Sequence, residues 1–411
     1  MNVTKKIKKL INSRKFLLYL LALTLSLILI GYFPSSFVLG LFIVFSVRYA
    51  FLNKIKLSIE HGLLLPIFLY ILFAMSFFWS QNQNLTIIGL ERMVSLVLIP
   101  IAFNVIPKFS VKDYHFILKI FTKVNLLFGV FFLVTAGINY IKIRSLSVFT
   151  YHELVGCLGL NAIYVSVIFS ISLFYLLSKK DNGTAQKIKI LFFLTLLLLL
   201  SSKTILAVLF VGIIIYAFRN GKRIFKNKKV ILVILFALAA FTFSANSLIE
   251  RLLFEKRTKV SEVINKEQFG KIYPWTGSSI RLLQLRILKE QLEEESIFLK
   301  GFGLFASREN LKKRHKNYDT YPVFHSYNYH NQYAQVFSEA GVFGLILLIS
   351  MLVYVFFNGI KSKDYLFIMF AFTIFLIFMT ESLLWRQKGL FLFIILYCLL
   401  IRVDFKSKEM G

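Results

Sequence analysis

The sequence predicts an all-α polytopic membrane protein of about twelve transmembrane helices, with one large outer loop that carries an amphipathic helix. Three observations predict it. Mean hydropathy is +0.71 and 57% of the 411 residues are hydrophobic, well beyond the apolar share of an ordinary soluble domain. Apolar stretches close to the roughly 20 residues that a bilayer crossing needs recur along the chain. Lys and Arg are gathered in alternate connecting segments, the pattern that membrane insertion imposes.

Taken in order, the apolar stretches lie near residues 16–32, 37–52, 62–79, 85–106, 114–137, 154–177, 188–200, 203–218, 230–245, 333–357, 365–382 and 389–403. Only Ser201-Ser202-Lys203 separates the seventh from the eighth. The first has a basic lead like that of a signal peptide, but its apolar run is long and lacks a small-residue cleavage pattern, so it reads as an uncleaved anchor. The chain thus divides into nine spans over residues 1–245, a large outer loop over 246–332, and three spans with a tail over 333–411.

Orientation follows from the cations. Basic clusters at 5–15, 179–189, 219–229 and 402–408 share one side with Lys54, Lys108 and Lys361, whereas the short loops of the other side hold only Lys142, Arg144, Lys203, Arg386 and Lys388. The positive-inside rule therefore puts both termini in the cytoplasm and the 246–332 segment outside, as in a bacterial inner (cytoplasmic) membrane. The net charge of +29 is accounted for by loops beside anionic headgroups, which makes membrane lipids the expected partner and excludes nucleic acid as the reading. Cys157 and Cys398 both fall inside predicted spans, so no disulfide framework or thiolate metal site is supported.

The outer segment carries most of the soluble chemistry, including half of the 20 acidic residues. Ser278-Ser279 can cap a helix in which Leu282, Leu285, Leu288 and Leu292 repeat at helical spacing, with Arg281 and Arg286 among them, so the helix is expected along the membrane surface. Lys300-Gly-Phe-Gly303 is expected to end it. The richest stretch runs from His325 to Gly344, where histidines, amides and a carboxylate feed straight into an apolar helix. A helix starting near Asn328 would put Asn331, Gln335 and Ser338 or Glu339 on one face, a polar stripe entering the membrane. Glu339 lies about 13 Å past His330 at 1.5 Å per residue. A carboxylate so placed either pairs within the structure or acts directly, and both readings stay open. Gly341 and Gly344 suggest close helix packing. His325 and His330, five residues apart, would not share a helix face, which disfavours a metal site between them. His315, in the run Lys312-Lys-Arg-His-Lys316, reads as a surface residue. His330, at the membrane boundary, is either an interfacial hydrogen-bonding group or a proton acceptor.

Three features together resemble the O-antigen ligase and O-antigen polymerase superfamily. One is the His325–Gly344 run, with His-Asn ahead of a helix bearing Glu-Ala-Gly and a second Gly three residues on. Another is an Arg opening an amphipathic outer helix followed by Gly-x-Gly, here Arg281 through Leu285 and Leu292 to Gly301 and Gly303. The third is a Ser-basic motif at the mouth of a middle helix, here Ser202-Lys203-Thr204. Twelve spans with a large loop before the tenth match as well. The ligase-like region covers about residues 190–350.

The resemblance implies a metal-independent membrane glycosyltransferase that needs no cofactor or nucleotide sugar. It would move a glycan from undecaprenyl diphosphate to an acceptor hydroxyl, either a lipid A core sugar or another lipid-linked repeat, in surface polysaccharide or lipopolysaccharide assembly. It also implies basic residues on the diphosphate and a His assisting the acceptor. Guanidinium grips phosphate in a bidentate way where ammonium is a point charge. Arg281 is accordingly the first candidate for the diphosphate and Lys203 the second, where the family more often has Arg; a snorkelling lysine is the other reading of Lys203. His330 would be the general base, with His325, Asn331 and Glu339 binding or orienting substrate. Tyr327, Tyr329 and Trp275 could stack on sugars or anchor the interface. Arg92 and Glu381 are further polar groups within spans. For Arg92, a structural pair with its neighbour Glu91 is the preferred reading. A transporter or flippase of lipid-linked glycan is the alternative, but no internal repeat supports it.

Overall fold

The computed structural model describes residues 11–179, 183–220, 253, 258–270 and 272–405. The described chain is helical throughout, with no strand beyond one isolated bridge between Phe109 and Val403. In chain order the helices are α1 (Arg14–Leu27), α2 (Tyr32–Leu52), α3 (His61–Met75), α4 (Gln83–Met93), α5 (Ser95–Val105), α6 (Val111–Ile143), α7 (Tyr151–Val155) and α8 (Ala162–Ser178). They continue as α9 (Thr184–Leu200), α10 (Lys203–Asn220), α11 (Val260–Asn265), α12 (Gly277–Glu294), α13 (Ser307–Asn317), α14 (Gln332–Ser362), α15 (Tyr365–Phe378) and α16 (Gln387–Arg402).

Five of these helical stretches are long and apolar enough to cross a membrane: Tyr32–Leu52, His61–Phe78, Gln83–Val105, Val111–Ile143 and Gln332–Ser362. The pair Tyr151–Leu158 and Ala162–Ser178, bent by 91°, makes a sixth if it is one span. Each remaining apolar stretch of the sequence is also occupied by a helix, except that near 230–245, which lies outside the described residues. Ser201, at φ 43°, ends α9 and separates it from α10, so the two stretches there are two helices. Local signals account for many of the ends. Asn82, Asn161, Asn331 and Asp364 each accept a hydrogen bond from a backbone N–H of the helix they start, and Ser110 and Asp113 form a reciprocal capping box, which satisfies orphan donors that hydrocarbon would not.

Two helices, α8 and α16, are buried along nearly their whole length, matching their all-round apolar sequences. Around them pack α1, α5, α6, α14 and α15. Arg402, which reads from sequence as an inner-loop charge, is fully buried at the end of α16, where it donates to the carbonyls of Ile106 and Ser58. Residues 258–331 build a second, smaller core of Val263, Phe269, Ile280, Leu283, Ile287, Leu311 and Tyr318.

Several expectations for that outer region need correction. The cap of α12 is Thr276, not Ser278 or Ser279, and it shares a capping box with Ser279. The helix buries Ile280, Leu283, Ile287 and Gln291, while Leu285 is 42% exposed, so the leucine repeat is not its inner face. Packing onto α11, α13 and the mouth of α14 decides which stripe is covered. The helix ends at Glu295, before the Gly-x-Gly. Gly301 and Gly303, at φ 65° and 99°, instead shape a loop that lies on α14. His315 is fully buried, because the basic run around it lies on the other faces of α13.

Candidate functional site

The tenth apolar stretch starts at Gln332 rather than near Asn328, and the approach to it is sharply turned. His330 sits at φ 46°, a left-handed conformation that a non-glycine residue holds only when its surroundings impose it. Its backbone N–H donates to Asn328 Oδ1 (2.9 Å), and the next residue, Asn331, caps α14 through Ala334 N (2.9 Å). Asn331 also donates from Nδ2 to the carbonyl of Met379 (3.1 Å), and Gln332 Oε1 accepts from Leu384 N (2.7 Å). These bonds fasten the mouth of α14 to the 379–386 loop between α15 and α16.

Glu381 in that loop is the meeting point. It is 6% exposed, and each oxygen has a cationic or ionisable partner. Arg281, from the second turn of α12, places Nη2 2.6 Å from Oε1. His330 places Nδ1 3.5 Å from Oε2, an ion-pair separation somewhat longer than a good hydrogen bond. Burial acts to raise the Glu381 carboxyl, but His330 and then Arg281 outweigh it and hold the group below its ordinary value. Arg281 is itself oriented by Thr380 O (2.9 Å from Nε) and Gly277 O (2.8 Å from Nη1), yet its side chain keeps 30% of its exposure. The Tyr327 ring stands edge-on to the His330 imidazole, with centroids 5.0 Å apart. Thr204, next to Lys203, meets Thr380 hydroxyl to hydroxyl at 3.2 Å, so the first turn of α10 abuts the same loop.

Arg281, His330, Asn331 and the Ser202-Lys203-Thr204 motif are therefore brought to one loop. His325 and Glu339 are not. His325 Nε2 lies 3.2 Å from Thr320 O and lines a separate cavity of about 300 Å³ with Arg308, Glu309 and Lys312. Glu339 is buried deeper in α14, where Oε1 accepts from Phe305 N (3.1 Å) and Gln335 Nε2 (2.7 Å). The stripe Gln335, Ser338 and Glu339 is consequently an internal latch rather than a polar face open to the membrane. Phe302 N donates to Ser338 O (2.8 Å) and Gly303 N to Glu339 O (3.0 Å), while α14 itself breaks at Gly341, φ 65° and ψ −161°. A side chain at Gly341 would collide with the backbone of Leu299 and Lys300. Gly341 thus admits a loop rather than a neighbouring helix, and the nearest atoms that a side chain at Gly344 would meet belong to Ala340 and Val336 of its own helix.

Of the aromatic candidates, Tyr329 is fully buried with its hydroxyl on Gln291 Oε1 (2.7 Å), so it cannot stack on a sugar. Trp275 is packed among Phe269, Tyr273 and Phe324. Tyr327 alone of the three stands beside His330. The central role of Glu381 is underweighted in the sequence; its signal is a lone carboxylate placed between two apolar helices. No ion pair joins Arg92 to Glu91 among the described residues, because successive residues on a helix point apart.

No protein of curated function matches the chain. Residues 188–349 match the family model described as O-antigen ligase. That span includes the α9–α10 break, the Arg281 helix, the His330 turn and the Gly341 break, and it rests on a multi-pass helical membrane scaffold. By that match residues 188–349 form an O-antigen ligase-like region of the chain.

Proposed function

We propose that this chain transfers a glycan from undecaprenyl diphosphate to an acceptor hydroxyl at the outer face of the bacterial inner membrane, without a metal ion. The observation that carries the reading is the convergence of Arg281 and His330 on one buried carboxylate, Glu381. In the reaction, the acceptor oxygen bonds to the anomeric carbon as the bond from that carbon to the diphosphate oxygen breaks. The diphosphate leaves with the electron pair, and the acceptor proton passes to the imidazole of His330. With Nδ1 turned to Glu381, Nε2 is the nitrogen left to take that proton, and the carboxylate stabilises the imidazolium that results. Arg281, held by three bonds to protein oxygens, turns the remainder of its fork to the leaving phosphate. Lys203 adds a second positive charge at the mouth of α10. Glu381 is a positioning residue here, since it acts through His330 and Arg281.

His330→Ala and Arg281→Ala are expected to abolish long-chain surface glycan while the protein still inserts, with transfer in purified membranes lowered about a hundred- to ten-thousandfold. Glu381→Gln should fall in the same direction and Glu381→Asp recover part of it. Normal glycan from both alanine variants would sink the mechanism. Deletion of the gene separates the two acceptor classes. Polymer stranded on its lipid carrier indicates transfer to lipid A core, whereas single repeats on lipid A core indicate transfer between repeat units.

A further inference from the structure

A cavity of about 690 Å³ lies between α2, the α4–α5 junction and the start of α16, with Leu384, Trp385 and Arg386 of the 379–386 loop in its wall. Its volume falls within the roughly 300–1,000 Å³ of small-molecule sites. One end is apolar, with Leu39, Ile43, Leu98, Leu390 and Phe391; the other presents Arg92, Arg386, Glu91 and Ser95. Neither guanidinium makes an ion pair or hydrogen bond to the described residues. Arg92 lies over the Phe305 ring (5.5 Å), which stacks at 3.9 Å on Trp385 of the cavity wall. It is also the tenth residue of the 23-residue apolar stretch Gln83–Val105, about 14 Å along its axis from the start. A cation at such a depth is costly unless it is matched by an anion. Ser95, 4% exposed, adds a buried hydroxyl with no hydrogen-bond partner.

We infer that this cavity binds a phosphate-bearing membrane lipid, its phosphate between Arg92 and Arg386 and its chain along the apolar end. Two guanidinium groups against the single carboxylate of Glu91 leave the polar end net positive, and planar guanidinium matches phosphate oxygens. The Ser95 hydroxyl supplies one further donor. Arg281 is not among the residues that line this cavity, and the inference is tested by lipid binding rather than by glycan transfer. Two lipids share the required chemistry, a diacyl phospholipid of the bulk bilayer and a single-chain isoprenoid phosphate.

The test uses the full chain in detergent, offered phosphatidylglycerol, an isoprenoid monophosphate or diacylglycerol, with retained lipid read by native mass spectrometry. The wild type is expected to retain a phosphate lipid over diacylglycerol, and Arg92→Gln/Arg386→Gln to retain at least about tenfold less, as removal of charge-assisted contacts predicts. Leu39→Trp/Leu98→Trp, which fills the apolar end and leaves the charges, should lose retention too and serves if the arginine variant fails to fold. Arg281→Gln, outside the cavity, should retain phosphatidylglycerol like the wild type. Preference for phosphatidylglycerol identifies bulk lipid as the source, and preference for the isoprenoid identifies a carrier lipid. Equal retention of diacylglycerol, or undiminished phosphate-lipid retention by both cavity variants, would overturn the site.

Discussion

Two residues show how context overrides residue type. His315 lies in a strongly basic run, yet it is fully buried, with Thr320 Oγ1 3.2 Å from Nδ1. Burial, with the nearby charge of His325, pushes its imidazole down to about 4. The unfolded chain would take up that proton near pH 6.5, the folded chain only near pH 4. Stability contributed by neutral His315 is therefore present above about pH 6.5 and is lost as pH falls towards 4, by about 3 kcal/mol in all. His315→Gln should flatten the fall in melting temperature across that window; an unchanged profile would place the acid sensitivity elsewhere. Glu381 makes the complementary point. It stands in a short loop between two apolar helices, and its importance comes from Arg281, 100 residues away in the chain. His330 was legible as a candidate because imidazole beside an amide at a helix mouth is unusual; that it faces a carboxylate was not.

Among the elements, α14 is the one on which the rest of the site depends. Its capping asparagine, its glutamines and Glu339 all bond outward to segments that follow or precede it by dozens of residues, so the helix holds the 298–305 loop and the 379–386 loop together. The break at Gly341 admits the first of these. Gly341→Ala forces a side chain into the left-handed region and into the Leu299–Lys300 backbone. We expect about 1–3 kcal/mol from the backbone conformation alone, with more from the collision. Limited proteolysis should then cut near 298–305 faster than in the wild type, and wild-type resistance would show that the loop does not need the break. The helices themselves were legible, since their apolar runs and Asn, Ser or Asp caps are local. The buried face of α12 was not, because leucines and isoleucines lie on more than one of its faces and only the partners select between them.

At the scale of the whole molecule, charge asymmetry and helix order make one orientation consistent with the proposed chemistry, with residues 258–331 and the Glu381 loop outside. In a chain with Cys157→Ser and Cys398→Ala, Lys316→Cys should react with a membrane-impermeant maleimide in intact cells. Lys361→Cys should react only after permeabilisation; the reverse pattern would invert the topology and move the site to the cytoplasm. The sequence by itself determined the solvent the protein folds in, most of its apolar helices and the residue types of the candidate site, because hydropathy, periodicity and capping act over a few neighbouring residues. Only the tertiary structure decided that Arg281 and His330 share Glu381, that Glu339 is a latch, and that Arg92 lines a cavity without forming an ion pair with Glu91. Those outcomes rest on contacts between distant segments, and it is the packing of whole helices, not any local preference, that sets which polar groups meet.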